Sequence, residues 1–317
     1  MRLPIFTHQQ PADFGGVVSA LAESSGAKLL AGGTDLLVNM KHRIEMPDTL
    51  VSLKKVADLR GIRMEGNATV IGAATTLKEI RQHSELERKF PALVQAAMAV
   101  GSYRHQAMGT LGGNLCQNTR CRFFNQSWQW RQARSLCFKV GGEDCHVIGK
   151  KKTCFSTYSG DVAPALLVLD ASLRITGPDG PREAPLASLY SREGRTPLTL
   201  GRGEFVTAVV ISGAAAQGKS RYEKFSLRGS IDFPIVGAAV WRGDGGVRAA
   251  YTGVDRAPVR ALELEAELVG DLTDASLKRG AALAHKAGKI APTSIHPVSF
   301  KRELMGSLFE KAMRAIS

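Results

Sequence analysis

Nowhere in its 317 residues does the chain carry an apolar run near the roughly 20 residues needed to cross a bilayer, so no membrane span is expected. The segment Met1-Arg2-Leu3-Pro4-Ile5-Phe6-Thr7-His8 holds no long apolar stretch. No secretory signal is therefore expected, and cytoplasm is the expected compartment. Cysteine is scarce and odd in number, five in all, which argues against a secreted disulfide framework. Acidic residues are short, 29 against 42 basic, and the net charge of +13 calls for an acidic partner or a phosphate-rich ligand. Several signatures are missing. There is no G-x-G-x-x-G, so no Rossmann unit, and no C-x-x-C, so a zinc ribbon is disfavoured. No serine–histidine–acid grouping, metal–water motif or carboxylate pair in helical register is found. Bond-breaking chemistry on an organic substrate is not expected of this chain.

The length suits two domains with a sizeable core. Residues 11–24 read as a helix, with Pro11 in its first turn. Strands are expected at 28–31, 49–53 and 69–73, and helices at 77–89 and 91–100, with Gly101 as the stop. Residues 165–175 read as a buried strand, followed by the turn Pro178-Asp179-Gly180-Pro181. After it the pattern changes, placing a domain boundary near 178. Strands at 204–211, 222–227, 235–241 and 247–251 follow, the last two flanking the turn Gly243–Gly246. Helices are expected at 257–268, 274–287 and 299–316.

Two glycine turns punctuate the first half, Ala31-Gly32-Gly33-Thr34-Asp35 and Thr110-Leu111-Gly112-Gly113-Asn114. Glycine lets backbone approach a ligand closely, and successive N–H groups cradle a pyrophosphate. Taken singly, such a turn is most often plain punctuation.

All five cysteines, Cys116, Cys121, Cys137, Cys145 and Cys154, fall in one irregular segment. The last four are separated by 16, 8 and 9 residues. Four thiolates make a closed site for zinc or iron–sulfur, and this spacing selects neither. Between Cys121 and Cys154 lie seven basic residues against Glu143 and Asp144. Phe123, Phe124, Trp128 and Trp130 stand among them. They are expected to pack the segment, although the same mixture suits a zinc-stabilised nucleic-acid binder.

The order AGGTDLL, GTLGGN, SGDVAPALLVLDA, YEKFSLRGSIDFPIVGAAV resembles the FAD-binding medium subunits of the xanthine dehydrogenase and carbon monoxide dehydrogenase family, across nearly the whole chain. The resemblance implies an α+β fold: a two-lobed FAD domain of the vanillyl-alcohol oxidase type over 1–178, with lobes of about 1–54 and 55–178, then a smaller C-terminal domain over 179–317. It implies that Leu29, Leu30, Ala31, Gly32, Gly33, Thr34, Asp35 and Leu36, with Thr110, Leu111, Gly112, Gly113 and Asn114, hold the FAD pyrophosphate. Gly101 would lie near the cofactor, Asp161 at its adenosine side and Lys224 by the isoalloxazine ring. The stretches GGNLCQNTRCRFFNQS, SLC, EDCHVIGKK and TCFSTYSGDVAP are similar to one branch, the β subunit of 4-hydroxybenzoyl-CoA reductase. That similarity implies an insert over about 117–156 binding a [4Fe-4S] cluster through Cys121, Cys137, Cys145 and Cys154. Cys116 is left as a small buried hydrophobe, and His146 beside the ligands rather than among them.

The same resemblance implies a large subunit with molybdenum cofactor and a small one with two [2Fe-2S] clusters, assembled as a dimer of heterotrimers, with no nucleic acid or membrane partner. Electrons from ferredoxin would pass through the [4Fe-4S] cluster and FAD to molybdenum, where 4-hydroxybenzoyl-CoA is dehydroxylated to benzoyl-CoA in anaerobic aromatic degradation. A hydroxylating dehydrogenase with reversed flow and a stand-alone FAD oxidase remain as alternatives.

Overall fold

Asp13 opens the first helix by accepting the Gly16 amide on its carboxylate, so α1 runs Phe14–Glu23 and Pro11 lies ahead of it. α1 connects β1 (Thr7–Gln9) to β2 (Ala27–Leu30), and with β3 (Thr49–Ser52) these strands form a parallel sheet in the order β1-β3-β2. At the end of β2 the chain turns through Gly32-Gly33 into the short α2 (Leu36–Lys41). This computed structural model describes residues 2–317 other than Gly245 and Asp271.

A second sheet is antiparallel, with β4 (Ile62–Glu65), β5 (Ala68–Gly72), β6 (Ser172–Gly177), β7 (Gly180–Pro185) and β8 (Phe205–Ile211) in the order β4-β5-β8-β6-β7. β8 lies between β5 and β6. The boundary expected near 178 therefore falls in the β6–β7 hairpin, and the first unit continues to Ile211. A Pro-Asp-Gly turn looks the same locally whether it joins strands or domains. Helices α3 (Leu77–Arg81), α4 (Ser84–Lys89), α5 (Pro91–Ala99), α6 (Tyr103–Met108) and α7 (Leu111–Leu115) follow β5, then α8 (Trp128–Gln132) within the insert and α9 (Val162–Val168).

β9 (Lys219–Phe225), β10 (Val236–Gly243), β11 (Gly246–Thr252) and β12 (Val259–Arg260) form a third, antiparallel sheet. Gly245, in the expected turn, lies outside the described residues. Strand alternation gives this sheet two apolar faces. Tyr222, Ala239, Trp241 and Ala250 join the first core, whereas Val236, Val240, Ala249 and Tyr251 join a second core with α10 (Leu262–Glu267), α11 (Asp274–Leu283) and α12 (Val298–Arg314).

Four expected elements differ, one of them the turn expected at Thr110–Asn114, which is the cap and first residues of helix α7. The 77–89 helix is two helices, because the His83 ring accepts the Leu86 amide and starts α4 afresh. Residues 165–175 are the end of α9 and the start of β6. Every residue from Val162 to Val168 is buried, so no polar face reveals the helical period. The 257–268 helix begins only at Leu262, after β12. Among the described residues no helix is long and apolar enough to cross a membrane.

Candidate functional site

The two glycine segments lie close together, the first as a turn and the second within helix α7. A Cβ on Gly32 would stand 1.8 Å from the Met108 carbonyl oxygen, so only glycine permits this approach. Gly33 has φ +71°, the left-handed region. Between the turns opens a cleft of about 910 Å³, within the range of about 300–1,000 Å³ usual for small-molecule sites. Its lining includes Leu29, Ala31, Gly32, Gly33, Thr34, Asp35 and Leu36 from one side and Thr110, Gly112, Gly113 and Asn114 from the other. Leu30, Leu111, Gly101, Asp161 and Lys224 are not in the lining.

The turns are not equivalent. The amides of Leu111 and Gly112 donate to the carbonyls of Thr75 and Ala73, and that of Gly113 to Thr110 Oγ1. By contrast the amides of Gly32, Gly33, Thr34 and Asp35 donate to no described residue. The first turn offers free donors and the second supplies a wall. Gln117 Oε1 also lies buried without a partner in a residue lining the cleft. Free amides, absent Cβ atoms and an orphaned acceptor fit a polar dinucleotide with an anionic bridge.

Asp35 would oppose that bridge if left alone, but it pairs with Arg120, whose guanidinium lies 3.8 Å from the Phe233 ring centroid. Burial pushes the Asp35 carboxyl above its ordinary value, against the pull of Arg120. Further bonds tie the insert to the segment after the first turn. Asn118 donates to Glu45 at 2.8 Å, and Arg131 donates to the carbonyls of His42 and Arg43 at 3.2 and 2.8 Å.

Lys224 Nζ lies 3.1 Å from Asp161 Oδ1 and also donates to the carbonyls of Ala99 and Asp232, while the Tyr222 hydroxyl donates to the same carboxylate oxygen at 2.8 Å. Residues expected at opposite ends of an extended dinucleotide are thus in direct contact with each other, and neither lines the cleft. Gly101, at φ +53°, accepts the Ile231 amide in the same neighbourhood. Burial pushes the Asp161 carboxyl up to about 6, opposed by Lys224. Protonated Asp161 stabilises the fold fully below its ordinary value of 3.8, and that contribution is lost as pH rises through about 6. Asp161→Asn stays neutral throughout. Thermal unfolding from pH 4 to 7 should show the wild type losing about 2 kcal/mol relative to this variant; parallel profiles would reject the assignment.

Cys121, Cys137, Cys145 and Cys154 all line one small cavity of about 20 Å³. Cys116 instead lines the large cleft, its thiol pushed up to about 12 by burial. The cavity wall includes Phe123, Phe124, Phe138, Phe155 and His146. Phe123 packs edge-on against His146 at 5.6 Å and tilted against Trp130 at 6.3 Å, while Trp128 is 41% exposed. Burial pushes the Cys121 thiol up to about 11, and the amides of Phe123 and Phe124 pull it down. Gly194 packs so close that a Cβ there would stand 2.8 Å from Cys154 Sγ, and Glu193 accepts the Cys154 amide at 2.7 Å. Among the described residues no group of three or more His, Cys, Asp or Glu is placed to hold a metal ion. The void is near the size of one water. The four thiols in their aromatic wall form an all-sulfur donor set of the kind that suits soft iron–sulfur chemistry. Phe124 and Lys139 line both cavities and form the partition between them. Burial pushes the Lys139 ammonium down to about 8, against the pull of Cys154.

Four contributors escaped the sequence reading: Gln117, Arg120, Lys139 and Gly194. Adjacency to Cys121 was a signal for Arg120. Nothing local marked Gly194, which reaches Cys154 only through the fold.

The profile described as the FAD binding domain in molybdopterin dehydrogenase matches residues 4–211. The chain belongs to this family. As a molybdopterin-dehydrogenase flavoprotein it is 34% identical, over 77% of its own length and 79% of the relative's, to the FAD-binding subunit of an aldehyde oxidoreductase of Escherichia coli. It is 27% identical to the medium chain of carbon monoxide dehydrogenase of Afipia carboxidovorans, covering 97% of this chain and 95% of that one. A solved structure of carbon monoxide dehydrogenase from Hydrogenophaga pseudoflava superposes on all of this chain and 98% of its own, with TM-score 0.82 and 25% identity. The flavoprotein is therefore an FAD-binding oxidoreductase subunit with the α+β fold of that family.

Proposed function

We propose that this subunit holds FAD against the two glycine turns and one [4Fe-4S] cluster in the cysteine cavity, and relays electrons between them within a molybdenum-containing complex. The observation that carries this reading is the convergence of Cys121, Cys137, Cys145 and Cys154 on one aromatic-walled cavity, with Cys116 left on the cleft. When bound, a flavin takes electrons singly or in pairs and an iron–sulfur cluster takes one at a time, which is the chemistry of a relay. The chain's own residues bind and orient. Amides of Gly32 to Asp35 meet the pyrophosphate, with Leu29, Ala31, Leu36 and the residues of the second turn closing round it. Lys224 and Asp161 sit together near Gly101. Four thiolates grip iron, the Phe123 and Phe124 amides stabilise the Cys121 thiolate, and the phenylalanines exclude water.

The finer reading is the reductase one. In it this subunit stands beside a molybdenum-cofactor large subunit and a [2Fe-2S] small subunit in a dimer of heterotrimers in the cytoplasm, takes electrons from ferredoxin, and serves dehydroxylation of 4-hydroxybenzoyl-CoA to benzoyl-CoA. The basic insert supports an acidic donor, since complementary charge raises association rates. Replacing Lys150, Lys151 and Lys152 by glutamine should slow reduction by ferredoxin and flatten its salt dependence; unchanged rates would reject docking there. Similarity to an aldehyde oxidoreductase subunit favours a second reading, an oxidising complex whose electrons leave through this chain.

Anaerobic co-purification with partner subunits, counting iron, flavin and molybdenum, tests the relay. Serine at any of positions 121, 137, 145 and 154 should remove the cluster's iron and leave flavin, whereas Cys116→Ser should remove neither. Equal iron in the wild type and the four ligand variants would overturn the cluster reading. Product analysis with 4-hydroxybenzoyl-CoA and reduced ferredoxin separates the reductase from the oxidising complex.

A further inference from the structure

Lys139 is a half-buried ammonium without an acid beside it. Its Nζ reaches Asn118 Oδ1 at 2.8 Å, Thr119 Oγ1 at 2.5 Å, the Thr119 carbonyl at 3.4 Å, Ser156 Oγ at 3.2 Å and the Gly194 carbonyl at 2.6 Å. Five acceptors round one nitrogen suit the charged form, which has three protons to give. All five are neutral. Glu45 and Glu193 act on it only from a distance. Even a half-buried cation in neutral company gains from an anion nearby. Lys139 also lies 4.6 Å from the Phe124 ring centroid, and these two side chains face the cysteine cavity on one side and the large cleft on the other. Ser156, one of its acceptors, touches Cys154 Sγ at 3.1 Å.

We propose that Lys139 is the electrostatic partner of the iron–sulfur cluster, its charge stabilising the reduced, more negative state and so setting how readily the cluster takes an electron before passing it across the partition to the flavin. This rests on the cluster reading above. A cation within a few ångströms, in a medium of intermediate dielectric, shifts the reduced-to-oxidised ratio at fixed potential by roughly tenfold or more.

The test is a potentiometric titration of the anaerobically purified complex, following the reduced cluster by electron paramagnetic resonance. Lys139→Gln and Lys139→Met should lower the midpoint potential, leaving roughly tenfold fewer clusters reduced at the wild-type midpoint. Lys139→Arg, which keeps the charge, should stay near the wild type. A potential unchanged in Lys139→Gln, or lowered equally in Lys139→Arg, overturns the proposal. Should both neutral variants fail to load iron, Lys139→Arg decides: iron retained supports a charge requirement, and iron lost reduces Lys139 to packing. Absence of iron from the wild type is a separate result that sinks the cluster reading itself.

Discussion

Gly32→Ala should strip the flavin from this protein while leaving whatever iron the wild type carries. The alanine Cβ would enter the Met108 carbonyl at 1.8 Å, and its neighbours there are backbone atoms with no side-chain rotation to relieve the contact. One turn must move by more than an ångström. Overpacking of this kind costs about 1–3 kcal/mol, and placed on cofactor affinity that is about tenfold to a hundredfold. The displaced amides are the four without partners, so the loss falls on the cofactor before the fold. Gly33→Ala should do less. Its Cβ meets the flexible end of Leu37 at 2.9 Å, leaving mainly the left-handed backbone at φ +71°, a strain of about 1–2 kcal/mol. Flavin absorbance per protein after desalting measures both. A Gly32→Ala protein with its full flavin would show that the meeting of the turns does not build the site.

The glycine pairs were legible as backbone devices, although the second lies in the short helix α7 and not at a strand end. Their inequality was not. Which amides stay free depends on Ala73 and Thr75, which come from the end of the second sheet and are distant in sequence. The cysteine cavity was half legible. Cys121, Cys137, Cys145 and Cys154 announce themselves by clustering, yet the partition that Lys139 and Phe124 make with the cleft is tertiary. The direct contact of Asp161 with Lys224 was hidden for the same reason, since it joins the start of α9 to β9. Buried α9 shows the limit of periodicity, for a helix without a polar face presents no period to read. The β6–β7 turn shows the limit of punctuation: only pairing reveals that β8 returns to the middle of the sheet.

Arg120→Met should weaken flavin binding by roughly thirtyfold to a hundredfold, the equivalent of about 2–3 kcal/mol. Among the described residues Arg120 is the one that bridges the cysteine insert and the free-amide turn by charge, standing beside Cys121 and pairing with Asp35. The two side chains are 20% and 27% exposed, so breaking the pair falls below the 3–5 kcal/mol typical of a fully buried one. What remains is a carboxylate aimed at the place the pyrophosphate needs. Neutralising it should repair the damage, so Arg120→Met with Asp35→Asn should bind flavin more tightly than Arg120→Met alone. Asp35→Asn by itself should bind no worse than the wild type, because it leaves a cation near the phosphates. Arg120 also stacks on Phe233 at 3.8 Å, and packing is the competing explanation. Packing alone predicts no recovery: the double variant would stay as weak as Arg120→Met, and the coupling energy of the cycle would vanish. A large coupling instead makes the guanidinium the counter-charge that lets an acidic residue sit within an anion cradle, and it ties flavin affinity to the loop that carries the first thiol ligand.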